Sequence, residues 1–143
     1  AVRTDVVEPH RAERFDGGLV ALLARIKAQG LPLSGGVGTR LPAESALAGR
    51  VGRADVLKVG HHGSRGSTGR AWLEELRPSA GIVSVGEGNR YGHPAPQAME
   101  RLAAAAVEVF RTDRDGTIEV RTDGRTMTIR SRRGVVTRTV SEP

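Results

Sequence analysis

The chain has 143 residues, enough for one domain with a single core, and with only 3% aromatic residues that core has to be built from Val, Leu, Ile and Ala. It contains no cysteine, which excludes a disulfide framework and a thiolate metal site and leaves His, Asp and Glu to hold any metal. The net charge of +6, carried mainly by arginine, suits a polyanionic partner, nucleic acid before anionic membrane; the alternative, equally open on charge alone, is a solvated basic surface.

No apolar run reaches the ~20 residues of a membrane span, since Leu19-Val20-Ala21-Leu22-Leu23-Ala24 breaks at Arg25. No signal peptide is visible at Ala1, and the expectation is a chain soluble as it stands, compatible with being cut from something longer. Val2 to Val7 reads as a short strand, and Pro9 to Arg14 as a polar loop. Gly17-Gly18 opens an amphipathic helix with Leu19, Leu22, Leu23 and Ile26 on one face, stopped by Gly30. Leu31 to Leu41 is a glycine-rich loop, and Ala43 to Val51 a short helix with Glu44 in its first turn.

Two short β-branched runs follow, Val56 to Val59 and Ile82 to Val85, both bounded by glycine as central strands are. Between them a helix is expected over 69–76, capped by Ser67 or Thr68, with Trp72, Leu73 and Leu76 inward and Pro78 as its stop. Strand, helix and strand of this length imply a parallel pair. A second unit repeats the rhythm: Pro96 as first helical residue, an apolar stripe of Met99, Leu102, Ala103 and Ala106, and a strand Val107 to Phe110. Thr117 to Arg121 and Arg125 to Arg130 then alternate around Asp123-Gly124, a hairpin signal, and Val135 to Val140 adds a third strand. The expected fold is α/β, a mixed sheet with βαβ units followed by an antiparallel meander whose Arg121, Arg125, Arg130, Arg132, Arg133 and Arg138 give a basic surface.

Three constellations carry polar chemistry. Val59-Gly60-His61-His62-Gly63-Ser64 puts two histidines at the carboxyl end of a strand, where open α/β sheets bind ligands. In extended chain the two would point to opposite faces, one into a site and one orienting it; the alternative is a pair of loop histidines. Gly86 to Pro94 adds Asn89, Arg90, Tyr91 and His93 on a loop from the neighbouring strand, or else forms a plain Pro-terminated turn. Arg111-Thr112-Asp113-Arg114-Asp115-Gly116 offers Asp113 or Asp115 as a ligand or a partner for a histidine, although a type I turn accounts for it.

In order and spacing along 43–131, these motifs resemble the metallo-β-lactamase-like domain of ComEC-type DNA-uptake proteins: Ala54-Asp55-Val56-Leu57-Lys58-Val59-Gly60-His61-His62-Gly63-Ser64, Ile82 to Gly86, Asn89-Arg90-Tyr91-Gly92-His93-Pro94 and Arg111 to Gly116. The resemblance implies an αββα sandwich, a site with one or two divalent ions (Zn or Mn) and hydrolysis of DNA phosphodiesters. It implies His61, His62, Asn89 and Tyr91 as catalytic residues and His62, His93, His61 and His10 as metal ligands. Single- or double-stranded DNA would lie against Arg65, Arg90, Arg121, Arg125, Arg130, Arg132 and Arg133. The setting it implies is an extracytoplasmic domain of a bacterial membrane protein, whose membrane-embedded remainder would be a partner.

Against that family, 1–42 is an abbreviated upstream part, 43–131 the family-like part and 132–143 a basic strand and tail, within one domain of 1–143. Before Gly17-Gly18-Leu19 only His10 fits a ligand position, with Arg14 and Phe15 where Asp and His are expected, and Ser34-Gly35-Gly36 replaces a Thr-Gly-Asp. Three readings follow: a metal-dependent phosphodiesterase, a metal-poor nucleic-acid-binding module of the same fold, and a hydrolase of a small ester or lactone.

Overall fold

The computed structural model describes residues 3–7 (as backbone), 44 and 52–140. The expected helix from Gly17, the loop of 31–41, most of the helix around Glu44, and His10 lie outside the described residues. Among the described residues there are two sheets, and their parallel and antiparallel strands are segregated between them rather than mixed in one sheet. The first is parallel, with β2 (Val56–Lys58), β3 (Ala80–Val83) and β4 (Glu108–Arg111) side by side in chain order. Each step between them carries a helix, α1 (Arg70–Leu76) and α2 (Pro96–Ala104). The second is antiparallel, in the order β1 (Arg3–Val7), β5 (Ile118–Thr122), β6 (Thr126–Ser131), β7 (Gly134–Thr139). The expected meander therefore forms and recruits the N-terminal strand as well, Val7 standing opposite Ile118.

The alternation of side chains along the parallel strands explains the layering. Leu57, Val59, Val83 and Val85 face one way and bury against Trp72, Leu73 and Leu76 of α1 and Leu102 of α2. Val56, Ala80, Ile82 and Phe110 face the other way, onto Ile118, Val120, Met127 and Ile129 of the antiparallel sheet. The described fold is thus a helical layer, a parallel sheet and an antiparallel sheet, mixed α/β. At roughly 25 cal/mol per Å² of apolar area buried, these two interiors supply the main driving force for the fold. A close approach also matters: a Cβ on Gly81 would lie 3.1 Å from Val107 Cγ1, so the centre of β3 admits no side chain without movement of its neighbours.

Several local expectations shift. β3 begins at Ala80 and ends at Val83, two residues earlier than the apolar run suggested. The reason is that Val85 is bonded by a side chain, its N–H donating to Thr112 Oγ1 (2.8 Å), instead of by a ladder. α1 is not capped by Ser67 or Thr68. Its N-cap is Gly69, and the buried Glu44 carboxylate accepts the N–H groups of Thr68 (2.5 Å) and Gly69 (2.7 Å). Ser67 Oγ donates instead to Ser64 O. An anion near a helix start opposes the dipole and satisfies otherwise orphaned donors, so a long-range acid does here what a local cap usually does. On α2 the buried face is Ala98 and Leu102 with Met99 half-buried, while Ala103 and Ala106 are exposed. Arg111 to Gly116 forms a short helical turn, α3 (Thr112–Asp115), where a type I turn was expected.

Candidate functional site

All three parallel strands end on the same edge of their sheet, and the polar loops meet there. After β2 the chain enters a tight turn, Gly60–Gly63, in which His61 (φ 45°), His62 (φ 55°) and Gly63 (φ 77°) are all left-handed. Such a conformation costs a non-glycine residue about 1–2 kcal/mol, so the surroundings must hold it. They do so at the Gly63 end of the turn. Gly63 O accepts Ala95 N–H at 2.7 Å, and Gly63 packs so closely on Pro94 that an added Cβ would lie 2.6 Å from Pro94 Cβ. The expected extended pair, with histidines on opposite faces, is replaced by a left-handed turn that leaves His61 exposed and His62 half-buried.

His62 is then fixed by the neighbouring strand. Its Nδ1 lies 2.5 Å from Ser84 O, and because a carbonyl can only accept, Nδ1 carries the proton. In neutral His62 the lone pair is therefore on Nε2, the arrangement in which a histidine serves as a base or a metal ligand while its other nitrogen is anchored to a carbonyl. Thr112, at the start of α3, secures the same strand end by a two-way bond: its hydroxyl donates to Val85 O (2.7 Å) and accepts Val85 N–H. The β3 terminus is thereby held between the loops after β2 and β4.

The Gly86–Pro94 loop brings the third histidine. Its ring centroid lies 5.9 Å from that of His61, and the His61 and His62 centroids are 6.4 Å apart. Burial, and secondly the positive potential of His61 and His62, hold the His93 imidazolium below the usual histidine range. His93 Nδ1 is buried and has no hydrogen-bond partner among the described residues. Tyr91 stacks on His93 at 6.2 Å and 22°, yet it is 83% exposed, an aromatic face presented to solvent.

Asn89 sits at the heart of this loop. Its Oδ1 accepts the N–H groups of Tyr91 and His93, and its Nδ2 donates to His93 O (2.6 Å). Both ends of the amide are engaged, so Asn89 shapes the loop that presents Tyr91 and His93. Asp113 is bound by both Nε and Nη2 of Arg111, and Asp115 accepts Arg111 N–H, so neither carboxylate turns toward the histidines.

As a metal centre the edge offers imidazoles in the right form and an orphaned His93 nitrogen. Yet among the described residues no group of three or more His, Asp or Glu side chains is placed to hold an ion. No carboxylate joins the three histidines, and the described residues alone do not fit a divalent ion. His10 lies outside them.

The arginines divide into two sets. Arg121 pairs with Glu119 on its own strand. Arg133 donates to Val109 O and Glu108 and stands 4.9 Å over the Phe110 ring, while Arg138 binds Glu108 and Ser79 O. These last two tie the β6–β7 hairpin to β4, sheet to sheet. Arg65, Arg90, Arg125, Arg130 and Arg132 are exposed, and their guanidinium groups make no hydrogen bond or ion pair among the described residues.

Sequence reasoning did not single out Glu44, Lys58, Ser84 or Thr112 for these roles. Lys58 ends β2 half-buried, and burial alone pushes its ammonium below the usual lysine range. Ser84 is 2% exposed, and its hydroxyl has no partner among the described residues. A polar residue that breaks an apolar run at a strand end was the one available signal.

With this geometry in view, the sequence is similar to competence and recombination proteins. It is 49% identical over 69 residues to ComE operon protein 3 of Bacillus subtilis, a match covering 48% of this chain and 9% of that protein. Competence protein ComA of Neisseria gonorrhoeae is 28% identical over 120 residues, 80% of this chain and 17% of that protein. Recombination protein 2 of Haemophilus influenzae is 39% identical over 77 residues, 54% of this chain and 10% of that protein. The matches thus cover between 9% and 17% of these relatives' length. No family model and no solved structure matches. Among the described residues no helix is long and apolar enough to cross a membrane.

Proposed function

We propose that this chain is the DNA-handling domain of a DNA-uptake protein, with a phosphodiester engaged at the carboxyl edge of the parallel sheet and cut there by hydrolysis. The observation that carries the hydrolytic reading is the His62 Nδ1–Ser84 O bond. It leaves the lone pair of neutral His62 on Nε2, in a ring 6.4 Å from that of His61, which in turn lies 5.9 Å from that of His93. A water attacking a phosphodiester seated at this edge meets a nitrogen able to accept its proton. The new P–O bond forms as one ester P–O bond breaks, the freed ester oxygen leaving as the strand's hydroxyl. The exposed Tyr91 face and Arg90 beside it suit a flexible strand, one by stacking on a base and the other by pairing with phosphate. The names of the relatives support DNA uptake as the setting, and an extracytoplasmic position on a membrane-embedded protein belongs to the same proposal. So does the metallo-β-lactamase-like fold, which the described helix–sheet–sheet layering supports.

A second reading, a module that binds DNA without cutting it, is favoured by the missing carboxylate among the described histidines. One experiment separates the two. Purified protein is assayed for bound metal and for cleavage of single- and double-stranded DNA, with and without added Mn²⁺ or Zn²⁺. Hydrolysis predicts cleavage that is lost in His62→Ala and His93→Ala. Tight, salt-sensitive DNA binding without cleavage or stoichiometric metal selects the binding module instead.

A further inference from the structure

Helix α2 holds the segment that carries the histidine turn from both of its ends. At its start, the N-cap Ala95 donates its N–H to Gly63 O (2.7 Å), and Pro94 packs on Gly63. In its last turn, Arg101 reaches away from the helix to residues 33 to 36 positions upstream. Its Nε donates to Thr68 O (2.9 Å), and its Nη2 donates to Arg65 O and Ser67 O (2.7 Å each). A basic side chain in a last turn commonly serves the carbonyls of its own helix end; here the three carbonyls belong to the loop that follows the histidines. That loop needs a hold. Thr68 is buried and left-handed (φ 58°), an unfavourable conformation for a β-branched residue. The Glu44 carboxylate takes its N–H and Arg101 its carbonyl, so a charged group grips each side of the strained residue. From there the chain is bonded back to the turn. Ser67 N–H and Oγ both donate to Ser64 O (3.1 and 2.9 Å), and Ser64 N–H donates to His61 O (3.0 Å).

A segment mounted at one point can pivot about it, whereas two separated mounts fix its orientation. The mounts at Ala95 and Arg101 stand roughly 9 Å apart along α2, at about 1.5 Å of rise per residue. The same helix follows directly on Pro94, so it also carries His93 ahead of its start. We propose that Arg101 is a positioning residue for the histidine edge: with Ala95 it braces the segment from His61 to Thr68 on α2, and so sets the His61–His62 turn against His93. The consequence for rate rests on the hydrolytic reading above, whereas the placement of the rings can be measured without it. Arginine suits the role by its shape. One planar fork serves three carbonyls, which the point charge of lysine does not hold in the same geometry.

The test uses the full chain with Arg101→Gln and Arg101→Lys, each compared with wild type where it is fully folded. Two readouts are taken: the His61–His93 ring-proton contact by NMR, and kcat and KM on a DNA oligonucleotide with added Mn²⁺ or Zn²⁺. Both variants should show faster amide exchange at Thr68 and a weakened ring contact. Their kcat should fall about tenfold or more at nearly unchanged KM, as expected when reacting groups are misplaced rather than substrate binding lost. Lysine should not rescue, because it restores the charge without the fork. A merely structural residue would lower the melting temperature and leave the ring contact and kcat of the folded chain unmoved. That result overturns the proposal, as does wild-type behaviour in Arg101→Lys. Should the Arg101 variants fail to fold, Ser67→Ala decides. It removes the Oγ bond to Ser64 O and should weaken the same ring contact, and an unmoved contact overturns the brace. If the wild-type chain cuts no DNA, the hydrolytic reading falls and the ring contact alone decides for Arg101.

Discussion

The parallel and antiparallel sheets share one apolar interior, but they spend their polar side chains in opposite ways. At the carboxyl edge of the parallel sheet, side chains are turned onto backbone: His62 onto Ser84 O, Thr112 onto Val85, Asn89 onto its own loop. Three loops that would otherwise be independent become one rigid rim. On the antiparallel sheet, the inward positions of β5 and β6 are Ile118, Val120, Met127 and Ile129. Arg121, Thr126, Thr128 and Arg130 occupy the other face: Arg121 pairs with Glu119, Thr126 Oγ1 donates to Asp123, and Thr128 Oγ1 meets Thr137 Oγ1. Each sheet follows its neighbours. A parallel sheet covered by helices exposes polar chemistry only at its ends, whereas an antiparallel sheet covered on one face exposes it along its length. Hence the rim is a place for a fixed ligand, and the antiparallel sheet is a surface for a diffuse one.

The sharpest way to break the rim is Gly63→Ala. The new Cβ would collide with Pro94 Cβ and sit at a φ of 77°, so we expect a loss of about 3 kcal/mol in urea unfolding. The His61–His93 proximity should go with it, read from the ring-proton shifts. A wild-type midpoint would show that Pro94 yields and the rim is softer than its contacts imply.

Thr112→Val keeps the shape and removes the two-way bond to Val85, leaving a buried N–H and C=O unpaired. A loss of about 2 kcal/mol is expected, with amide exchange accelerated at Val85 in particular. If only global stability falls and Val85 exchange keeps pace with the rest, Thr112 is a packing residue and not a clamp.

How far these devices could be read in the sequence follows the range over which they act. The strand Val56 to Lys58, the helix with Trp72, Leu73 and Leu76, and the Asp123-Gly124 hairpin are set by alternation, helical period and turn chemistry within a few residues, and all three form where expected. Periodicity sets a strand's face but not its partner, so the pairing of β1 with β5 and the separation into two sheets were not legible. The cap on α1 comes from Glu44, more than twenty residues upstream, and the clamp on Val85 from Thr112, as far downstream; no local signal carries either. The histidine edge was legible because its residues are rare and clustered. The division of the arginines was not, since Arg133 and Arg130 look alike until Glu108 and Phe110 arrive beside one of them.

That division gives a third test, on DNA affinity more than on stability. Replacing Arg125, Arg130 and Arg132 together by Gln should leave unfolding within about 0.5 kcal/mol of wild type, since none holds another group. If these residues meet phosphates, the log–log salt slope of DNA binding should fall by about 2–3, near 0.7–0.9 per contact. Arg133→Gln should do the reverse: lower stability through the loss of Val109 O, Glu108 and the Phe110 face, and barely move the slope. Slopes that respond only to Arg133 would remove the antiparallel sheet as the DNA surface.

The smallest effect belongs to the β5–β6 turn. Asp123 Oδ1 accepts the N–H groups of Thr126 (2.7 Å) and Arg125 (2.8 Å), and these bonds, Thr126 first, hold its carboxyl below the usual aspartate range. A folded pKa below the unfolded one means that the unfolded chain binds the proton more readily. The turn's contribution is therefore fully present above the unfolded value near 3.8 and is lost as pH falls through the lower folded value. Because the group is fully exposed, the contribution is modest and screened by salt. Asp123→Asn keeps an acceptor for both N–H groups but removes the titration, so it should flatten the acid limb of the stability curve below about pH 4 and leave neutral-pH stability nearly unchanged. The rim should not respond to this change at all. A coupled shift at His93 in the Asp123→Asn spectrum would mean that the two sheets communicate, and that the separation of a fixed site from a diffuse surface is too simple.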